Sequence, residues 1–94
     1  MKGLELIDIL SEVIQERCRQ EAKWGEQNHK PVEWCAILGE EVGEVNKAAL
    51  EAHFKQYYKD NDQLADYRRE LIQVAAVAVA MIQSLERNKP TYQK

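Results

Sequence analysis

Apolar residues return every three or four positions through three long stretches of this chain. From Leu4 to Trp24 they are Leu4, Ile7, Leu10, Val13 or Ile14 and Cys18, with Glu, Asp, Arg and Gln on the other face. This spacing predicts an amphipathic helix of about five to six turns. "GEQNHKP" ends it: Gly25 suits a helix C-terminus, and Pro31 disfavours helical geometry at Lys30 while fitting a first helical turn. A second helix is expected from about Val32 to about Phe54, with Trp34, Ile37, Leu38, Val42, Val45, Ala48 and Ala49 on its apolar face and Leu50 and Phe54 extending it. "KQYYKDND" interrupts the pattern, and Asn61 or Asp62 is placed to cap a third helix.

That third helix is "LADYRRELIQVAAVAVAMIQSLER", whose middle, "LIQVAAVAVAMI", is apolar nearly all the way round. Such a helix must be covered on most sides. Two other helices leave part of it bare, which points to another subunit. The tail "NKPTYQK" is polar and contains Pro90, so it is expected to fray. The expected fold is therefore all-α: one domain with a bundle of about three long helices, completed by dimerisation into a four-helix-bundle-like core.

Composition narrows the function. A chain of 94 residues buries only somewhat more than about 60% of the surface its unfolded form exposes, which again favours self-association. The net charge of −3 supplies no basic field for a nucleic-acid backbone, so a polymer-binding role is disfavoured. "MKGLELIDIL" has no continuous apolar run of the kind a signal peptide needs, so a cytoplasmic protein with no membrane role is expected. Cys18 and Cys35 form no CxxC motif, and His29 and His53 complete no zinc spacing, so the thiols are expected to be reduced and partly buried.

The second helix contains an anomaly. "ILGEEVGEV" places Glu40, Glu41 and Glu44 inside a run that otherwise reads as buried. At about 100° per residue these acids edge the core-facing stripe. On the third helix Glu70 and Gln73 are i,i+3 neighbours among Leu71, Val74 and Val77. Two helices thus offer oxygen pairs toward a shared interior. Carboxylates close together in a partly desolvated groove raise one another's pKa, and a bound cation removes that penalty. Hard oxygen ligands select Mg²⁺, Mn²⁺ or Ca²⁺, and Mg²⁺ commonly completes its shell with substrate phosphates. An ordinary solvated face, with the acids pairing Lys47 or other cations, is the alternative; the second oxygen pair on the next helix favours the metal.

"EEVGE" followed by "ELIQ" resembles the E-E-x-x-E … E-x-x-D signature of the MazG-like, all-α nucleoside triphosphate pyrophosphohydrolases, and "RCRQEAKWGEQNH" is similar to the segment preceding it in short phage- and prophage-type members. The resemblance covers roughly residues 15 to 86. It implies a helical dimer or dimer of dimers that hydrolyses (d)NTPs to monophosphate and pyrophosphate with Mg²⁺, or Mn²⁺ in its place, held between the second and third helices. Carried over, Glu41 and Glu44 match the central metal ligands, Glu40 the leading acid and Glu70 the first acid of the second motif. Gln73 stands where the family has Asp. Its amide oxygen can ligate Mg²⁺ but brings no charge. Two readings are open: an active enzyme in which Glu40 supplies the missing charge and acts as general base, or a degenerate member that binds nucleotide or only dimerises.

Around the end of the first helix, Trp24 is either a base-stacking surface or a core anchor. Lys23 supplies a cation, and Asn28 and His29 supply donors, with a solvated side chain the plainer reading of His29. Lys47, Arg68 and Arg69 are either phosphate contacts or surface charge. Trp34 reads as packing. Gly39 and Gly43 share one helix face, where close helix packing is the plainer explanation and approach of a phosphate the other.

Overall fold

The computed structural model describes residues 5–54 and 62–92. They form α1 (Leu6–Trp24), α2 (Pro31–Phe54) and α3 (Asp62–Tyr92), an all-α arrangement with no strand among the described residues. Leu4 and Asn61, the latter a proposed cap, lie outside the described residues, as do residues 55–60 and the last two positions of the tail.

The helix ends follow local chemistry. At α1 the Glu5 N–H donates to the Asp8 carboxylate at 3.2 Å, satisfying a donor that no helical carbonyl reaches. The helix stops at Gly25, whose φ of 74° a side chain would resist and whose N–H reaches Glu21 O at 2.8 Å. Pro31 takes the first position of α2, and Glu33 accepts the Lys30 N–H at 2.8 Å. The loop between them is strapped to α3. Arg87 donates to Gln27 O at 3.0 Å and to Asn28 Oδ1 at 3.1 Å, and Asn88 Nδ2 donates to the same Asn28 oxygen and to Ser84 O, both at 2.9 Å. That strap holds the beginning of the expected frayed tail, and the helix continues to Tyr92.

α3 organises the molecule. It packs against α2 along most of α2's length and against α1 on another side, while α1 and α2 share no helix–helix contact among the described residues. The buried apolar side chains are few and mostly small: Val13 from α1, Trp34 and Ala48 from α2, and Ala76, Val77 and Ala80 from α3. Arg68 of α3 adds a two-pronged ion pair to Glu12 of α1, with contacts of 2.8 and 2.6 Å. This pair is exposed, so it sets the register of the two helices more than it stabilises them.

Several expected core positions are open. On α1 only Val13 is buried; Ile7, Leu10 and Ile14 are exposed because α1 meets α3 through one narrow edge. Leu50 and Phe54 are exposed as well, on the side of α2 away from Ala49, Ala52 and His53, which line a hollow with Leu64 and Tyr67 of α3. The two cysteines, expected to be partly buried, are both exposed free thiols. Gly39 and Gly43 have no atom within 4 Å of where a Cβ would stand, so the expected close packing is not made within one chain.

Because nothing crowds these glycines, their helix cost of about 0.8 to 1 kcal/mol each relative to Ala is recoverable. Gly39→Ala and Gly43→Ala are each expected to raise unfolding stability by about that amount, read from urea melts at fixed protein concentration.

Candidate functional site

A cavity of about 680 Å³ opens where α1, α2 and α3 converge. Its floor is apolar, made by Ile37 of α2 and Val77 and Ala80 of α3, with Trp34 beside them. Glu40 and Glu41 stand on the α2 wall and Gln73 on the α3 wall. The α1 wall is polar: Glu16, Arg19, Gln20 and Lys23 recur at three- and four-residue steps and so project together. Trp24 and Gln27 close the end, and Arg69 stands on the α3 side. The volume falls within the range of small-molecule pockets.

Glu41 is the electrostatic centre. Its carboxyl is held above the ordinary carboxylate range first by partial burial, then by the negative charges of Glu70, Glu44, Glu40 and Glu16. Glu40, Glu44 and Glu70, the other proposed acids of α2 and α3, therefore all act on Glu41, joined by Glu16 from α1. Glu16 is not among the residues that the sequence pattern singles out, although its spacing to Gln20 and Lys23 puts all three on one α1 face. Spacing does not say which α1 face turns inward. In the structure Glu16 is engaged by the Arg19 guanidinium at 2.6 Å.

The remaining proposed residues divide. Lys23, Trp24 and Arg69 line the cavity with Glu40, Glu41 and Gln73. Trp24 is 56% exposed, so the base-stacking reading fits it better than that of a core anchor; the Lys23 ammonium lies 4.8 Å from its ring centroid. Arg69 also pairs with Asp66 one turn back on α3. Glu44 and Glu70 are close enough to act on Glu41 but do not line the cavity. Asn28, His29 and Lys47 are not on its wall. Asn28 is engaged by Arg87, Asn88 and Glu26, and the His29 ring meets Trp34 edge-on at 4.9 Å between centroids. Arg68 serves the α1–α3 contact. Trp34 is buried as packing, yet it also borders the cavity, and its indole N–H has no hydrogen-bond partner among the described residues.

Among the described residues no three His, Cys, Asp or Glu side chains converge tightly enough to form a finished metal cage. The donor set nevertheless fits a hard divalent ion: it is all oxygen, and burial together with the neighbouring carboxylates disfavours the ionised form of Glu41, a cost that a bound cation would offset. No described helix is long and apolar enough to cross a membrane. Comparison of the chain with family models, with curated proteins and with solved structures finds no match.

The direction of the Glu41 shift fixes a pH dependence. A carboxyl whose folded pKa is raised costs stability when ionised. That cost is absent below the ordinary carboxylate value and fully present above the raised one. In chelator, Glu41→Gln is expected to stabilise the protein at about pH 7 and to make little difference at about pH 4. Urea melts of both proteins across that range would read the divergence.

Proposed function

We propose that the chain is a metal-dependent nucleoside triphosphate pyrophosphohydrolase of the MazG-like kind, with Mg²⁺ as the cofactor and Mn²⁺ as a substitute. The observation that carries this reading is the position of Glu41. It is surrounded by four other carboxylates at the wall of a cavity that also presents Arg19, Lys23, Arg69 and an exposed tryptophan. Clustered acids facing clustered cations and an aromatic ring suit a ligand that carries divalent metal, polyphosphate and a heterocycle together.

In this reading Glu41, Glu44 and Glu70 would hold the metal, with Gln73 contributing a neutral amide oxygen. Bound there, the ion would neutralise the triphosphate and acidify a water for attack at the α-phosphorus. Glu40, on the same wall, accepts the proton of the attacking water as general base. Lys23 and Arg69 engage phosphate oxygens, which fixes the direction of the chain of phosphates. Trp24 stacks on the base, and the Trp34 N–H offers a donor to a base carbonyl at the cavity floor. The apolar floor of Ile37, Val77 and Ala80 limits water at the reacting end. Asn28, strapped to Arg87 and Asn88, acts by holding the loop that carries Gln27 into the cavity, and His29 by bracing Trp34.

The place of the protein in this reading is the cytoplasm, as a homodimer or homotetramer, clearing nucleotides from the pool of a phage, prophage or host. A second reading, a degenerate nucleotide-binding or helical dimerisation module, rests on Gln73. That residue lines the cavity without charge where the family pattern has Asp.

Purified protein with each NTP and dNTP is expected to release monophosphate and pyrophosphate in Mg²⁺ or Mn²⁺ and nothing in chelator. Glu41→Gln and Glu40→Gln should each lower kcat by about a hundredfold or more. Absence of turnover with every nucleotide, together with activity appearing in Gln73→Asp, would establish the second reading. Millimolar Mg²⁺ should also raise the melting temperature of the wild type and leave Glu41→Gln unmoved.

A further inference from the structure

The cavity around Glu41 adjoins a second space. A cleft of about 320 Å³ lies between α1 and α3, and Glu16, Arg19 and Arg69 line both it and the cavity. These three residues form the passage from one to the other. Past them the cleft is walled by Gln15 of α1, Ala65 of α3 and the Glu12 and Arg68 pair.

The two spaces are in line. On α1 the residue numbers fall from Trp24 in the cavity, through Arg19, to Glu12 in the cleft; on α3 they fall from Ala80, through Gln73 and Arg69, to Ala65. At 1.5 Å per residue, Gln73 lies about 10 Å along α3 from Ala80, Arg69 about 6 Å further on, and Ala65 about 6 Å beyond that. The acids stand in the middle of this order, since Glu41 shares the cavity with Gln73 and feels the charge of Glu70. A nucleotide has an order of its own: base, sugar, α-phosphate, then the remaining phosphates. With the base on Trp24 and the α-phosphorus at the acids, the later phosphates run toward Arg19 and Arg69, and the free end of the chain points into the cleft.

The arginines of the passage are loosely held. Arg19 pairs with Glu16 and Arg69 with Asp66, each one turn back on its own helix, and the two arginine side chains are 65% and 56% exposed. Exposed pairs of this kind contribute little. A terminal phosphate carries more charge than one carboxylate and meets a planar guanidinium in two-pronged geometry, so it displaces either acid. Glu16, released from Arg19, adds its charge to the acids around Glu41, where a divalent ion would offset it. Arg68 is different: two of its nitrogens are committed to Glu12, and it stays with the α1–α3 contact. A triphosphate needs only the two exchangeable cations at the entrance. The open volume behind them suits a longer chain.

We infer that the α1–α3 cleft is a subsite for phosphates beyond the γ position, so that the substrates include nucleoside 5′-tetraphosphates, with Arg19 and Arg69 binding the chain where it leaves the cavity. This rests on the hydrolase reading. In the reaction the oxygen of water bonds to the α-phosphorus and the bond from that phosphorus to the oxygen bridging toward β breaks. The electron pair leaves on tripolyphosphate, the proton of the water passes to Glu40, and water is the one co-reactant.

Two measurements on the full chain test the subsite. The first is calorimetry in Mg²⁺ with inorganic tripolyphosphate and tetrapolyphosphate as probes. Wild type should bind the longer chain about tenfold more tightly, and Arg19→Gln and Arg69→Gln should each weaken its binding about tenfold or more. Ala65→Phe puts a ring in the cleft from an exposed position and should remove the advantage of the longer chain. The second is turnover of the 5′-tetraphosphate of each base that is cleaved as triphosphate. Its kcat/KM should at least equal that of the triphosphate, with monophosphate and tripolyphosphate released, and Ala65→Phe should lower the ratio of the two about tenfold through KM. Circular dichroism reports folding, and if Ala65→Phe loses its helix signal the two arginine variants decide. Equal affinity for the two probes, an advantage that survives in folded Ala65→Phe, or arginine variants that bind like wild type would overturn the inference. Triphosphates cleaved while tetraphosphates are at least about tenfold poorer would overturn it and leave the hydrolase reading standing. The expected calorimetry with no nucleotide cleaved would support the cleft as a polyphosphate site and overturn the hydrolase reading instead.

Discussion

Among the described residues, the helices pack on one another only through α3. α1 and α2 each pack on it and share no helix–helix contact among the described residues, so the fold depends on one helix that is apolar on nearly every side. Burial of Ala76, Val77 and Ala80 joins the three elements. Small side chains there bring the backbones close, but they remove little apolar surface from water, and the stabilisation from burial scales with that area. Among the described residues a core of six buried apolar side chains is thin, and part of α3 is left uncovered.

The same geometry explains the acids. Because α1 and α2 diverge from α3 without closing on each other, a cleft remains between them, and its walls are the flanks of the helices where apolar stripes give way to charge. Glu41 sits at that boundary. It is buried enough to be costly as an anion and exposed enough to reach a ligand, with four carboxylates adding to the cost. On the opposite wall, the α1 row of Glu16, Arg19, Gln20 and Lys23 is mixed in sign, so the cavity offers both a seat for cations and contacts for anions. A closed three-helix bundle would have filled this space with side chains.

Legibility differs by level. The three helices, the glycine stop at Gly25 and the proline start at Pro31 are local properties of backbone and spacing, and they stand within a residue or two of expectation except at the end of α3, which runs past Arg87 to Tyr92. Glu40, Glu41 and Gln73 are readable because i,i+3 and i,i+4 spacing places residues on one helix face wherever the helix goes. Glu16 and Arg19 do not stand out, since nothing in their spacing says which face of α1 turns toward α2. Asn28 and His29 look like ligand donors in a polar loop; Arg87 and Asn88, about 60 positions away, turn Asn28 into a strap.

The sequence by itself determined helix positions, their ends and which acids share a face, because these depend on dihedral preferences and a 3.6-residue period that act within a few turns. Tertiary structure alone decided which apolar residues are buried. Ile7, Leu10 and Ile14 match Val13 in hydrophobicity, yet of the four only Val13 is buried. Periodicity identifies an apolar stripe, but burial depends on how far around the stripe another helix reaches, and in this chain each neighbour of α3 reaches only part of the way.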